Sequence, residues 1–126
     1  MLSDWARGDA GTLEHIKTTP PALISVSSVT AMEIDFGLAI NPARARKLAP
    51  VMHALLQAVT IVPYGVEEAH ATATLRAALQ RKGRPIGAYD ALIAGCALAR
   101  GWVLVSSNVR EFRRVTGLLV ENWRQA

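Results

Sequence analysis

Residues 84–101 read RPIGAYDALIAGCALARG. From position 91 to 99 almost every side chain is small or apolar, as in a helix buried on most of its surface. One carboxylate, Asp90, stands at the mouth of the run, and Gly101 follows its end as a left-handed stop. A carboxylate in a first helical turn offsets the helix dipole by roughly 0.3–1 kcal/mol. The other reading is that the fold presents Asp90 to something positive.

Working outward, apolar periodicity and breakers divide the rest of the chain. Residues 4–18 read as two short helices broken near Gly8 and Gly11, and residues 18–21 as a turn. A β-branched strand is expected at 23–26 and a helix at 29–40, ended by Asn41-Pro42. Leu48, Val51, Met52, Leu55 and Leu56 recur at helical spacing and predict an amphipathic helix over 43–58. A strand at 60–62, a helix at 66–82 and the helix at 88–100 follow. A buried-type strand at 103–106, a short helix at 109–114 and a last strand at 118–120 complete the pattern. Strands alternating with helices predict an α/β fold with a parallel sheet, whose ligands bind beyond the carboxyl ends of the strands.

The 126 residues suit one domain, and 51% hydrophobic against 19% charged residues is a globular composition. No apolar stretch reaches the roughly 18 residues of a membrane span. The start, MLSDWARGDA, lacks the pattern of a secretory signal, so a cytoplasmic protein is expected. A single cysteine, Cys96, allows no internal disulfide and reads as core. Net charge is +4, which favours polyanionic partners. The cations gather in two groups, Arg76, Arg81, Lys82 and Arg84, and Arg110, Arg113 and Arg114.

Each candidate functional residue also has a structural reading. Thr30-Ala31-Met32-Glu33 matches a capping box, and Asn108 suits a turn or cap after a strand. Taken together, Glu33, Asp90 and Asn108 put two carboxylates and an amide near helix starts that an α/β sheet brings to one edge. Oxygen donors of this kind suit Mg²⁺, which takes one or two carboxylates and completes its shell with water and phosphate. Such an ion supports hydrolysis of a phosphodiester. His15, His53 and His70 lack metal-ligand spacing, and no GxxxxGK[ST], GxGxxG or GxSxG motif occurs. Trp5, Trp102 and Trp123 are too scattered to form a base-stacking platform.

Four stretches resemble the VapC-type PIN-domain ribonuclease toxins of bacterial toxin–antitoxin modules, in order and in spacing. They are residues 24–37 (ISVSSVTAMEIDFG), 84–101, 103–117 (VLVSSNVREFRRVTG) and 119–123 (LVENW). The resemblance implies a three-layer α/β/α sandwich with a central parallel sheet, formed by one PIN domain over residues 1–126. It implies a Mg²⁺- or Mn²⁺-dependent endoribonuclease acting on tRNA or rRNA, a homodimer, and a cognate antitoxin whose tail covers the active site.

Position by position, Glu33 and Asp90 match two of the family's acidic residues and are expected to hold the metal. Asn108, uncharged, is the nearest match to the fourth. Arg84, Arg110, Arg113 and Arg114 are expected to touch RNA. The family's opening strand, which ends in the first catalytic aspartate, has no counterpart in Met1-Leu2-Ser3-Asp4-Trp5, and Asp4 and Asp9 are not substitutes. The expectation is therefore a chain shortened at its N-terminus. A catalytically degenerate protein that binds an antitoxin without cutting RNA is the alternative reading.

Overall fold

The structure, a computed structural model, describes Pro20, residues 24–106 and residues 108–122, apart from the side chain of Arg44. The expectations for residues 1–19, including the missing first strand and the two short helices, lie outside the described residues, as do His15, Trp5 and Trp123. The chain forms two compact units, one holding the described residues up to Pro63 and the other Tyr64–Asn122.

In the first unit, strand β1 (Ser25–Ser27) leads into helix α1 (Ser28–Ile40), then helix α2 (Pro42–Ala58) and strand β2 (Thr60–Val62). β1 and β2 pair in parallel, with Val26 opposite Ile61. Parallel strands need a long crossover, and the two helices supply it. The core joins Ile24 and Val26 of the strand region to Ile34 of α1 and to Met52, Leu55 and Val59 of the α2 end. Leu48 and Leu56 pack against it as the apolar spacing predicts, whereas Val51 is half exposed.

Helix α1 starts earlier than a Thr30 cap would place it. Ser27 is the N-cap, and its Oγ accepts a hydrogen bond from the Thr30 N–H at 3.2 Å. Thr30 is buried inside the helix and Glu33 is its sixth residue. The capping-box reading therefore does not hold: Ser27 caps the helix through the Thr30 N–H, and Thr30 and Glu33 both lie inside it.

In the second unit, helix α3 (Val66–Arg81) and helix α4 (Ala88–Arg100) pack against each other, followed by strand β3 (Val103–Val105), helix α5 (Val109–Phe112) and strand β4 (Leu119–Glu121). β3 and β4 are parallel, with Leu104 opposite Val120. The small residues of the opening stretch have a steric cause. A Cβ on Gly95 would stand 1.9 Å from Thr72 Oγ1 and 3.0 Å from the Thr72 Cα, so α3 and α4 approach at a distance only glycine permits. Ala91, Ile93, Ala94, Cys96 and Ala97 are buried along the same helix, and Phe112 is wholly enclosed. Gly101 closes α4 in the left-handed conformation, φ 67°, as the sequence predicts. No helix among the described residues is long and apolar enough to cross a membrane.

The α/β reading with parallel strands holds. The described residues form two parallel pairs within a largely helical chain. Element boundaries agree with the sequence reading to within about two residues, the usual uncertainty at helix and strand ends.

Candidate active site

The second unit gathers three polar side chains at the start of α4. Gly87 is the N-cap of this helix and has no side chain to satisfy a free amide. Its own N–H donates instead to Glu111 Oε1 of α5, at 2.8 Å across 24 residues of sequence. The other oxygen of Glu111 accepts from Asn108 Nδ2. Asp90, the third residue of α4 and half-buried, stands beside Glu111 and helps to lower its pKa. A Cβ built on Gly87 would lie 3.6 Å from Asp90 Oδ2 and 3.8 Å from Glu111 Oε1, so both carboxyl groups converge on one spot beside the helix start.

The electrostatics follow from these contacts. The Gly87 N–H, foremost, holds the Glu111 carboxyl below its ordinary range; partial burial opposes this, while Asn108, Asp90 and the Arg114 cation add to the lowering. Two carboxylates set this close repel each other, and a divalent cation between them would relieve that repulsion.

Asn108 precedes α5 as its N-cap, yet its side chain makes no cap hydrogen bond. Its backbone N–H is held by Ser106 Oγ at 3.0 Å, which leaves the amide group directed at Glu111. Glu33 belongs to the first unit, half-buried on α1 and beyond its first turn, so it does not sit at a helix start.

Of the four arginines expected at RNA, Arg84, Arg110 and Arg113 are exposed, but Arg114 is half-buried and donates from Nη1 to the Pro85 carbonyl at 3.3 Å. His53 and His70 are exposed and Cys96 is buried, as expected.

Glu111 is the residue that sequence reasoning missed. It was taken as part of a short helix. The available signal was a lone acid, three residues after Asn108, between Arg110 and Arg113-Arg114.

Among the described residues no three His, Cys, Asp or Glu side chains form a group able to hold a metal ion. The Asp90–Glu111 pair with the Asn108 amide is nonetheless a hard oxygen donor set. It fits Mg²⁺ or Mn²⁺, which need only one or two protein carboxylates when water and phosphate supply the rest.

Residues 4–118 match the family model described as the PIN domain. The chain is 41% identical over 113 residues to the tRNA(fMet)-specific endonuclease VapC of Salmonella typhimurium, covering 87% of this chain and 85% of that one. It is 38% identical over 98 residues to Ribonuclease VapC2 of Haemophilus influenzae, covering 78% and 74%. Among solved structures, the DNA-bound VapBC of Salmonella typhimurium superposes with a TM-score of 0.80 and 35% identity, over 92% of this chain and 86% of that one. The chain belongs to the PIN-domain family and, within it, to the VapC endoribonuclease toxins of toxin–antitoxin modules.

Proposed function

We propose that this toxin hydrolyses tRNA, with the initiator tRNA as its target, at a Mg²⁺ or Mn²⁺ site held by Asp90 and Glu111 beside the Asn108 amide. The observation that carries the reading is the pair of carboxyl groups, Asp90 and Glu111, held together at the start of α4. The choice of tRNA rests on the Salmonella relative, which is named for tRNA(fMet). When bound, the divalent ion polarises the phosphodiester and acidifies a water molecule, giving hydrolysis. The chain's own residues set the stage for it. Gly87 and Asn108 orient the Glu111 carboxylate, the packed α4 helix fixes Asp90, and the exposed cations Arg84, Arg110 and Arg113 draw in the RNA backbone.

On this reading the chain is a three-layer α/β/α PIN domain with a central parallel sheet, acting in the cytoplasm. The partners are a second copy of the chain and a cognate antitoxin, in keeping with the VapBC complexes of the relatives. An arginine-bearing antitoxin tail would pair with the same carboxylates and exclude the metal.

The test is cleavage of purified initiator and elongator tRNAs by the full chain in Mg²⁺ or Mn²⁺. The expected outcome is metal-dependent cutting of the initiator, leaving 5′-phosphate and 3′-hydroxyl ends because water is the nucleophile. Cleavage that persists in excess EDTA, or 2′,3′-cyclic phosphate ends, would overturn the metal site. Equal cutting of elongator tRNAs would overturn the choice of target.

A further inference from the structure

The three arginines near the end of α5 look alike in sequence and differ in the structure. Arg110 and Arg113 are exposed. Arg114 is half-buried, and its Nε is enclosed without a hydrogen-bond partner among the described residues. Arg114 is one of the residues that line a cleft of about 310 Å³, with Leu75, Leu79, Leu98 and Val115. Nη1 meets the carbonyl of Pro85, across 29 residues of sequence. Pro85 lies in the segment that leads from α3 to Gly87. Two hydrogen bonds from the α5 region therefore hold that segment: Arg114 at the Pro85 carbonyl and Glu111 at the Gly87 N–H.

We infer that Arg114 is a positioning residue for the carboxyl pair, and that RNA is gripped by its exposed neighbours instead. The guanidinium fixes the loop carbonyl two residues before Gly87, so that the Gly87 N–H points at Glu111 and the Glu111 carboxylate stays beside Asp90. A guanidinium spans this role better than an ammonium, because its planar fork offers several donors in fixed directions. The inference rests on the proposed role of the Asp90–Glu111 pair.

Positioning and RNA contact leave different kinetic marks. Loss of a phosphate contact raises KM and lowers the slope of log affinity against log salt by about 1. Loss of a positioning contact lowers kcat and leaves that slope alone. The experiment is steady-state cleavage of RNA by the full chain over a range of salt, for Arg114→Gln, Arg114→Lys, the double variant Arg110→Gln/Arg113→Gln, and Glu111→Gln.

Arg114→Gln is expected to lose about 10–100-fold in kcat, the usual effect of removing a partner behind a metal-site residue, with KM and salt slope retained. Arg114→Lys is expected to recover part of that loss. The double variant is expected to raise KM and flatten the salt dependence. If Arg114→Gln instead raises KM and flattens the slope, or changes nothing, the positioning role is overturned. If Arg114→Gln does not fold, Arg114→Lys decides, since full activity there would equally refute a role that needs the fork. Glu111→Gln separates the two proposals: undiminished cleavage by that variant refutes the carboxyl pair itself, whereas its loss together with an intact Arg114→Gln refutes only the present inference.

Discussion

Helices α3 and α4 begin with the same local pattern and use it differently. Each has a glycine N-cap and an acidic residue three positions later, Gly65 with Glu68 and Gly87 with Asp90. In α3 the pattern closes on itself. Glu68 is buried, its Oε1 accepts from the Gly65 N–H at 2.8 Å, and its Oε2 lies 3.4 Å from Arg100 Nη2. In α4 the corresponding bond from Gly87 goes to Glu111, brought in from α5. Asp90 has a shorter side chain than Glu68, and it is Glu111, beside it, that accepts the Gly87 N–H. A distant residue has taken over the capping task, and the acid of the first turn has been set beside it. The same motif is architecture in one helix and a candidate site in the other, and no local reading of the sequence separates the two.

Substitution at the two acids breaks the comparison most directly. Asp90→Asn keeps the volume and removes the charge. RNA cleavage should fall by about 10²–10⁴-fold, the range seen when a positioned acid–base group is lost. The thermal midpoint should stay near that of the unaltered chain. Retained cleavage, or loss of folding with cleavage per folded molecule intact, would place Asp90 with Glu68 as a structural acid.

The middle of the helix pair comes next in size. Gly95→Ala puts a methyl group against the Thr72 backbone, which cannot yield as a flexible side-chain tip can. Overpacking of this kind costs about 1–3 kcal/mol. Urea denaturation should show a lower midpoint with an unchanged slope. An unshifted midpoint would mean that α3 and α4 stand further apart than the glycine implies.

Glu68→Ala should cost less, about 0.5–2 kcal/mol for a lost cap. Arg100 loses its partner in the same change, but its head is 40% exposed and returns to water. Glu68→Gln can still accept the Gly65 N–H and should recover most of the cap. Neither variant should alter cleavage per folded molecule. Loss of cleavage from a stably folded Glu68→Gln chain would show that the two helix starts are not functionally distinct.

Much of this was legible in the sequence because it is local. The helix over 88–100 follows from its small apolar run and Gly101, and the α2 core face from the spacing of Leu48, Met52 and Leu55. Strand β2 was evident from Thr60-Ile61-Val62. The errors have a common physical source. Ser27 displaced Thr30 as the cap because serine and threonine can both cap a helix, and only the backbone conformation chooses where the helix starts. The bond between Glu111 and Gly87, 24 residues apart, and that between Arg114 and Pro85, 29 apart, leave no local mark in the sequence. Side-chain charge is visible in a sequence; what a charge faces after folding is not.

The finest test concerns the acid that α4 borrows. Hydrogen bonding from Gly87, chiefly, lowers the Glu111 pKa from its ordinary 4.5. A carboxyl whose folded-state pKa is depressed stabilises the native state when ionised. That contribution is fully present above the unfolded value of 4.5 and is lost as pH falls through the lowered value. Glutamine at this position resembles the protonated acid and carries no such dependence. Urea midpoints of the metal-free chain, measured in EDTA from neutral pH down through the acid range, should therefore differ between Glu111 and Glu111→Gln at neutral pH. The two curves should converge as pH drops below 4.5, with the unaltered chain losing stability faster. The effect should be smaller than that of Glu68→Ala, since Glu111 lies in a partly solvated setting where charge interactions are screened. Curves that diverge on acidification would mean that Glu111 is held neutral in the native state. In that case α4, like α3, would be capped by a group that takes no part in cation binding.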